Sequence, residues 1–124
     1  MFDQFKAMGA IASLLKNQDR LREAHDRVRE QMETARVEAD AGGGAVRVVV
    51  TGTMRVESVV VEPALAAGMA CDEQTRDLAG SLVVEAINDA LQRAQALLQE
   101  AISREVEALG LPELPGDLQR LLSP

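Results

Sequence analysis

The hydrophobic positions in the first part of the chain follow a helical heptad. From Ile11 to Ala35 apolar residues recur every three or four positions, which predicts a long amphipathic helix. One seam of this heptad contains Ile11, Gln18, His25 and Met32, and a second seam beside it contains Leu14, Leu21, Val28 and Ala35. Because Gln18 and His25 dilute the seam, we expect a helix that packs only partly on a partner.

The hydrophobic period changes to two after this helix, which predicts three antiparallel strands. A first strand is expected at about Arg36–Asp40, and Gly42–Gly44 supply the positive φ values of the following hairpin turn. In the next strand Val46, Val48 and Val50 alternate with Arg47, Val49 and Thr51. Gly52-Thr53 form the next turn, after which Val56, Ser58 and Val60 alternate with Glu57, Val59 and Val61. Valine on both faces of the last strand predicts that a helix covers one face and that a second subunit or the other helix covers the opposite one.

A second long helix is predicted after the sheet. Pro63 ends the last strand, Ala64–Ala70 form a short connection, and Asp72 is placed to cap a helix that stops at Gly110-Leu111-Pro112. The predicted apolar stripe of this helix contains Leu78, Leu82, Ile87, Leu91, Ala94, Leu98, Ala101, Ile102, Val106 and Leu109. The fold class is therefore α+β, with one domain over residues 1–110. Residues 111–124 form a proline-containing tail with a Leu118–Leu122 patch.

The composition favours a small core and an oligomer. The chain has 124 residues, with two Phe and no Trp or Tyr, so its interior depends on smaller aliphatic side chains that each contribute less burial energy. Such a chain gains stability by dimerising. Cys71 is the single cysteine, which excludes an intrachain disulfide, and no signal sequence or long apolar run is recognised. A cytoplasmic protein without a membrane partner is expected.

Basic side chains are concentrated in the first helix although the formal net charge is −7. Arg22 and Arg29 lie seven residues apart on one stripe, Arg20 and Arg27 lie on another, and Lys16 is one turn before Arg20. The acids Asp19, Asp26 and Glu33 form a stripe of their own. Two interpretations are open, a solvated face held by ion pairs three or four residues apart, and a surface for phosphates.

No catalytic or metal-binding arrangement is found in the sequence. His25 is interpreted as a polar seam residue, because one His and one Cys cannot complete a metal site. Asn88 and Asp89 are paired polar residues in an apolar helix, but Asp89 is placed to pair with Arg93, and Asn88 is placed to hydrogen-bond a sheet edge or a loop. The glycine triplet lacks the context of a phosphate-binding loop. We predict no enzyme activity, no cofactor, no metal and no small-molecule substrate.

Short sequence motifs follow one another in a fixed order along roughly the first 110 residues. They begin at Met1-Phe2 and continue with Leu14-Leu15-Lys16 in the first helix. They include Gly44-x-Val46-x-Val48 and Gly52 in the sheet, then Val59-x-Val61-Glu62-Pro63-x-Leu65, and Asn88-Asp89-Ala90 in the second helix. No single motif is diagnostic, but by their order and spacing the chain resembles the YbaB/EbfC nucleoid-associated proteins.

The resemblance implies a homodimer joined through its sheet and adjoining helices, with long helices projecting like the arms of a tweezer. It also implies binding to duplex DNA and a place in the bacterial nucleoid. Lys16 is carried over from the Leu-Leu-Lys match, and Arg93 follows Asn88-Asp89-Ala90 where the family tends to be basic. Three residues depart from the family pattern, namely Gln92, Ala39 and His25.

The predicted function is that of a nucleoid-associated protein that influences nucleoid organisation or gene expression. It would bind duplex DNA as a homodimer, mainly through backbone phosphates. The candidate contact residues are Lys16, Arg20, Arg22, Arg27, Arg29 and Arg93. The alternative is a protein-interaction module that acts through its acidic second helix and the 111–124 tail. The near absence of aromatic side chains argues against a single-strand binder, which stacks bases on aromatics.

Overall fold

The architecture is a three-stranded sheet with a long helix before it and another after it. The computed structural model describes the backbone of residues 2–109 and the side chains of residues 17–109. The elements are α1 (Phe2–Thr34), β1 (Arg36–Ala41), β2 (Val46–Thr51), β3 (Val56–Val61), α2 (Pro63–Cys71) and α3 (Glu73–Ala108). This order confirms the predicted α+β class. The predicted helix stop at Gly110 and the 111–124 tail lie outside the described residues.

The sheet is an antiparallel meander in the order β1-β2-β3. Gly42, Gly43 and Gly44 join β1 to β2 with φ angles of 65°, 67° and 92°, in the left-handed region that glycine adopts without steric cost. The glycine triplet is therefore a hairpin turn, as predicted. Ala41 pairs with Val46 at the start of the ladder.

The turn between β2 and β3 has three residues rather than the two that were predicted. Thr51 and Arg55 close the loop, since the Thr51 N–H donates to the Arg55 carbonyl at 2.8 Å. Met54 takes a φ of 67°, as the third loop residue does in hairpins of this length. The prediction of a turn at Gly52-Thr53 alone was wrong because it did not include Met54. A residue other than glycine occupies the left-handed position here, and the packing of the Met54 side chain against the core stabilises it.

An irregularity in the β2–β3 ladder changes which valines share a face. Val49 pairs with Ser58, but Val50 pairs with Val56, so Glu57 is left over as a bulge. The bulge puts Val56 on the face of Val59, whereas strict alternation predicted Val56, Ser58 and Val60 together. The extra residue shifts the period-two pattern by one position.

The core lies between β1, β2 and α3. Val46, Val48 and Val50 are fully buried and pack with a column of alanines on α3, Ala86, Ala90 and Ala94. Residues four apart lie on one helix face, and small side chains let the helix backbone approach the sheet closely. Ala86 and Ala90 were not in the predicted stripe, which followed the larger apolar residues.

The helix cover predicted for one face of β3 is absent from the described part of the chain. α3 packs mainly on β1 and β2, and β3 keeps exposed valines, with Val59 42% and Val60 57% exposed. Leu78, predicted in the apolar stripe of α3, is 54% exposed. β3 is left uncovered because a single helix spans only about two strands at the 4.7–4.9 Å spacing of a sheet.

The segment between the sheet and α3 is helical rather than an irregular connection. α2 begins at Pro63, which suits the first helical position because its missing N–H has no acceptor there. Asp72 then caps α3 as predicted. Its carboxylate accepts from the Gln74 N–H at 3.1 Å and from the Thr75 hydroxyl at 3.0 Å.

Candidate nucleic-acid interface

The candidate interface is the part of α1 that lies beyond its ion pair with α3 and extends past the other described elements. α1 and α3 both run away from the sheet and are connected where Arg27 donates to Glu105, with Nη2 at 2.8 Å and Nε at 3.2 Å from its carboxylate oxygens. α3 ends at Ala108, about one turn further. From Arg27 back to Phe2, α1 continues for about 37 Å, and we call residues 2–26 the α1 arm.

The Arg27–Glu105 pair fixes the base of this arm. The hydrogen bond from Arg27 lowers the pKa of the Glu105 carboxyl, and the same contact raises the pKa of Arg27. Glu105 is the more shielded partner, with its side chain 16% exposed against 49% for Arg27. Because the guanidinium is occupied by a carboxylate from α3, Arg27 is a positioning contact between helices and presents little free charge. The two residues are 78 positions apart, so helical spacing could not reveal the pair.

Arg20 and Arg22 are predicted site residues that form no ion pair with any described side chain. Both are exposed on the α1 arm, and neither forms an ion pair among the side chains that the structure describes. Lys16 belongs to α1, one turn before Arg20, but its side chain lies outside the described residues. The arm therefore carries two arginines whose charge no described carboxylate neutralises.

The other two predicted residues already have partners. Arg29 donates to Glu33 at 3.3 Å, and Arg93 pairs with Asp89 at 3.1 Å, as predicted. Arg93 also donates to the backbone carbonyl of Glu38 on β1 at 3.3 Å. The sheet-edge contact predicted for Asn88 is thus made by Arg93, and Asn88 is exposed. The structure does not bring Arg93 together with the α1 arm.

The arginines of α1 flank an apolar stripe, and acids occupy the remaining face. At about 100° per residue, the Arg20–Arg27 stripe and the Arg22–Arg29 stripe border the side that holds Ala24. The exposed outer face carries five carboxylates, Asp19, Glu23, Asp26, Glu30 and Glu33. A phosphate backbone would meet repulsion on this outer face, so an approach to α1 must come from its flanks.

Other chemistry is not indicated in the described part of the molecule. His25 is exposed, and its Nδ1 is 3.8 Å from an Asp26 carboxylate oxygen. Among the described residues, no group of three or more His, Cys, Asp or Glu side chains could hold a metal ion. Of the helices in residues 2–109, none combines the length and apolar character needed to cross a membrane.

A long apolar groove separates α1 from α3 and runs past the Arg27–Glu105 pair, from the β2–β3 loop to Leu21 and Leu109. Its volume is about 550 Å³, and its floor is the β2–β3 loop with Met54. Leu21, Ala24 and Met32 line the α1 side. The α3 side is lined by Leu98, Ile102, Val106 and Leu109. We call this feature the α1–α3 groove.

The chain is similar in sequence and in fold to known proteins. The model of the YbaB/EbfC DNA-binding family matches residues 8–109. A protein of Acetivibrio thermocellus named nucleoid-associated protein is 31% identical over 102 residues, which are 82% of this chain and 86% of that protein. The crystal structure of an uncharacterized protein from Helicobacter pylori superposes with a TM-score of 0.54 at 14% identity, covering 67% of this chain and 90% of the other. That likeness concerns the fold alone, but the family match spans nearly all of the described residues, and the chain is therefore a member of the YbaB/EbfC DNA-binding family.

Proposed function

We propose that this protein is a nucleoid-associated protein that binds duplex DNA as a homodimer, mainly through backbone phosphates. The observation that carries the proposal is the pair of exposed arginines, Arg20 and Arg22, on a helix that extends beyond the fold without a described ionic partner. Family membership and the name of the Acetivibrio thermocellus relative support DNA as the partner. Its place is the nucleoid, where it affects DNA organisation or gene expression, and no catalytic step is involved.

The homodimer is proposed to form at β3. This strand is an edge of the sheet, so one side of its backbone has N–H and C=O groups available for a further strand. Valines are exposed on both of its faces, with Val56 45%, Val59 42% and Val60 57% exposed. A second copy that pairs with this edge would bury these side chains and join two sheets into one platform with two α1 arms.

The DNA contacts are proposed to be few and local. The dimer carries a formal charge of −14, twice the −7 of one chain, so the whole molecule repels a polyanion and only a basic segment can attract it. Arg20 and Arg22 from two arms supply four such charges, and Lys16 is proposed to add to them. Arg27, Arg29 and Arg93 contribute less, because each must share its guanidinium with a carboxylate.

The test is a salt series of DNA binding by arginine variants. Fluorescence anisotropy of a labelled duplex of random sequence is measured for wild type, Arg20→Gln and Arg22→Gln. The matched control is Arg76→Gln, which removes the same charge from an exposed residue at the opposite end of α3. Any effect of net charge alone appears in the control as well, so a difference between the variants reports on the α1 arm.

The expected magnitude follows from counterion release. Four neutralised phosphates give a log–log salt slope of about −3.6, equivalent to a roughly 150-fold loss of affinity between 50 and 200 mM salt. Each single Arg→Gln variant removes two contacts from the dimer and reduces the slope by about 1.8. Equal slopes for Arg20→Gln, Arg22→Gln and Arg76→Gln would refute phosphate contact by the α1 arm.

The dimer is tested separately by light scattering. Val59→Lys puts a charge at a partly exposed position of the β3 edge, opposite Val48, and is expected to halve the mass, whereas Val59→Thr keeps the shape and is expected to leave the mass unchanged. An unaltered mass for Val59→Lys would place the interface elsewhere. A stable dimer that does not bind DNA even at low salt would instead favour the protein-interaction module.

A further inference from the structure

We propose that the α1–α3 groove is the docking site of this chain's own residues 111–122. The groove is apolar and open: Leu21 on its α1 side is 48% exposed, and Ile102 and Val106 on its α3 side are only partly buried. Leaving such a surface in water is unfavourable in proportion to its area. A partner for the groove must therefore offer apolar side chains.

The position of residue 109 brings the following segment to the groove. Leu109 itself lines the groove, and Pro112 follows three residues later. Proline clashes with the preceding helical turn and lacks an N–H, so Pro112 is a sequence signal for the end of a helix. Because Leu109 lines the groove, the segment that follows it starts at the groove.

The length of the segment is sufficient to reach the floor of the groove. From Leu109 back to Leu98 the groove runs along α3 for about 17 Å at 1.5 Å per residue. Leu118 is nine residues after Leu109, and nine extended residues span up to about 30 Å. The leucine patch can thus lie anywhere between Leu109 and Met54 without unwinding α3.

The sequence of the segment is complementary to the groove in apolarity. Its leucines are Leu111, Leu114, Leu118, Leu121 and Leu122, and the last three have the three-to-four-residue spacing of one helix face. The charged residues of the segment, Glu113, Asp117 and Arg120, nearly balance. In the groove lining, Arg29 is paired with Glu33, so apolar contact carries the match.

A small molecule is a poorer fit than this segment. The volume of about 550 Å³ is in the range of ligand pockets, but such pockets place a few polar groups to fix their ligand. The Glu105 carboxylate in the lining is already bonded to Arg27. The remaining surface is dominated by aliphatic side chains, which suits a leucine-rich peptide that stays attached to the same chain.

Paramagnetic NMR on the full chain tests the docking. In a Cys71→Ser background, which removes the free cysteine, Gln119→Cys is spin-labelled and the methyl signals of Ile102 and Val106 are recorded. We expect these signals to be broadened, while Val84 on the exposed side of α3 remains sharp. Sharp Ile102 and Val106 signals would overturn the proposal.

Two further samples decide between occupants. Combining Leu118→Asp with Leu122→Asp is expected to abolish the broadening, whereas Ser123→Asp, which adds charge but keeps every leucine, is expected to preserve it. Broadening that survives the double substitution counts against docking by the leucines. A mixture of spin-labelled and methyl-labelled chains shows whether the contact is within one chain. In this mixture the methyl-labelled chains carry no spin label, so broadening of their Ile102 and Val106 signals overturns the proposal and assigns the groove to a second copy.

Discussion

Replacing Gly52 by alanine tests how closely α1 and the β2–β3 loop must approach. A Cβ at Gly52 would lie 2.5 Å from the Met32 carbonyl oxygen and 2.9 Å from its Cα. These atoms are backbone, so no side chain can rotate away. The Gly52 N–H also donates to the Ala35 carbonyl at 3.1 Å, which holds the end of α1 at this distance from the loop.

The magnitude follows from the displacement that the new methyl group requires. Ordinary van der Waals contact begins at 3.4 Å, so the end of α1 must move by about 0.9 Å, the difference from 2.5 Å. Overpacking of this kind costs about 1–3 kcal/mol, and the lower chain entropy of alanine in the unfolded state offsets roughly 0.4–1 kcal/mol. We expect Gly52→Ala to lower the free energy of unfolding by about 1–2 kcal/mol.

Gly80→Ala is the matched control, because it makes the same chemical change where nothing lies within 4 Å of the new Cβ. Gly80 is exposed in α3, so alanine should stabilise the protein by roughly 0.5–1 kcal/mol through helix propensity. Urea unfolding followed by circular dichroism, at equal protomer concentrations, should separate the two midpoints by about 1 M. A Gly52→Ala midpoint at or above that of wild type would refute the steric argument.

Two further predictions concern the N-cap of α3 at Asp72 and its ion pair with α1 at Glu105. Asp72→Ala removes the acceptor for Gln74 and Thr75 and should lower the free energy of unfolding by about 1 kcal/mol in the same urea assay, with Asp72→Asn close to wild type; equal losses in both variants would contradict the capping role. Arg27 holds the pKa of Glu105 below that of the unfolded chain, so the stabilisation is present above the unfolded pKa and is lost as pH falls through the folded one. Glu105→Gln should therefore destabilise at pH 7 and cease to do so in acid, whereas a pH-independent difference would show that the carboxylate charge is irrelevant.

Features set by local pattern were predictable from the sequence. The valine alternation of β2 gives the buried face because a half-buried strand has a period of two, and Asp72 was identifiable because a capping residue acts within three positions. The glycine turn required only the conformational freedom of Gly42–Gly44. Each of these depends on residues that are close in the chain.

Features that depend on contacts between distant segments were not predictable. The bulge at Glu57 is a property of how two strands pair, and the alanine column at Ala86 and Ala90 has meaning only beneath a sheet. In the candidate site, the sequence placed Arg20 and Arg27 on one stripe as equivalent charges. The structure separates them, because Glu105 approaches Arg27 from α3 and leaves Arg20 exposed.

The contact of α1 with α3 has a mechanical consequence for the proposed dimer. From Leu21, the outermost groove residue of α1, back to Phe2 the helix extends for about 28 Å, so a rotation of about 5° at its base moves the tip by about 2.5 Å. Long helices bend smoothly at a low energetic cost, so the distance between the two α1 arms of the proposed dimer can change easily. If the proposed dimer holds duplex DNA between its α1 arms, flexing of α1 accommodates variation in duplex width without distorting the DNA, and we expect binding to depend little on sequence-dependent DNA shape.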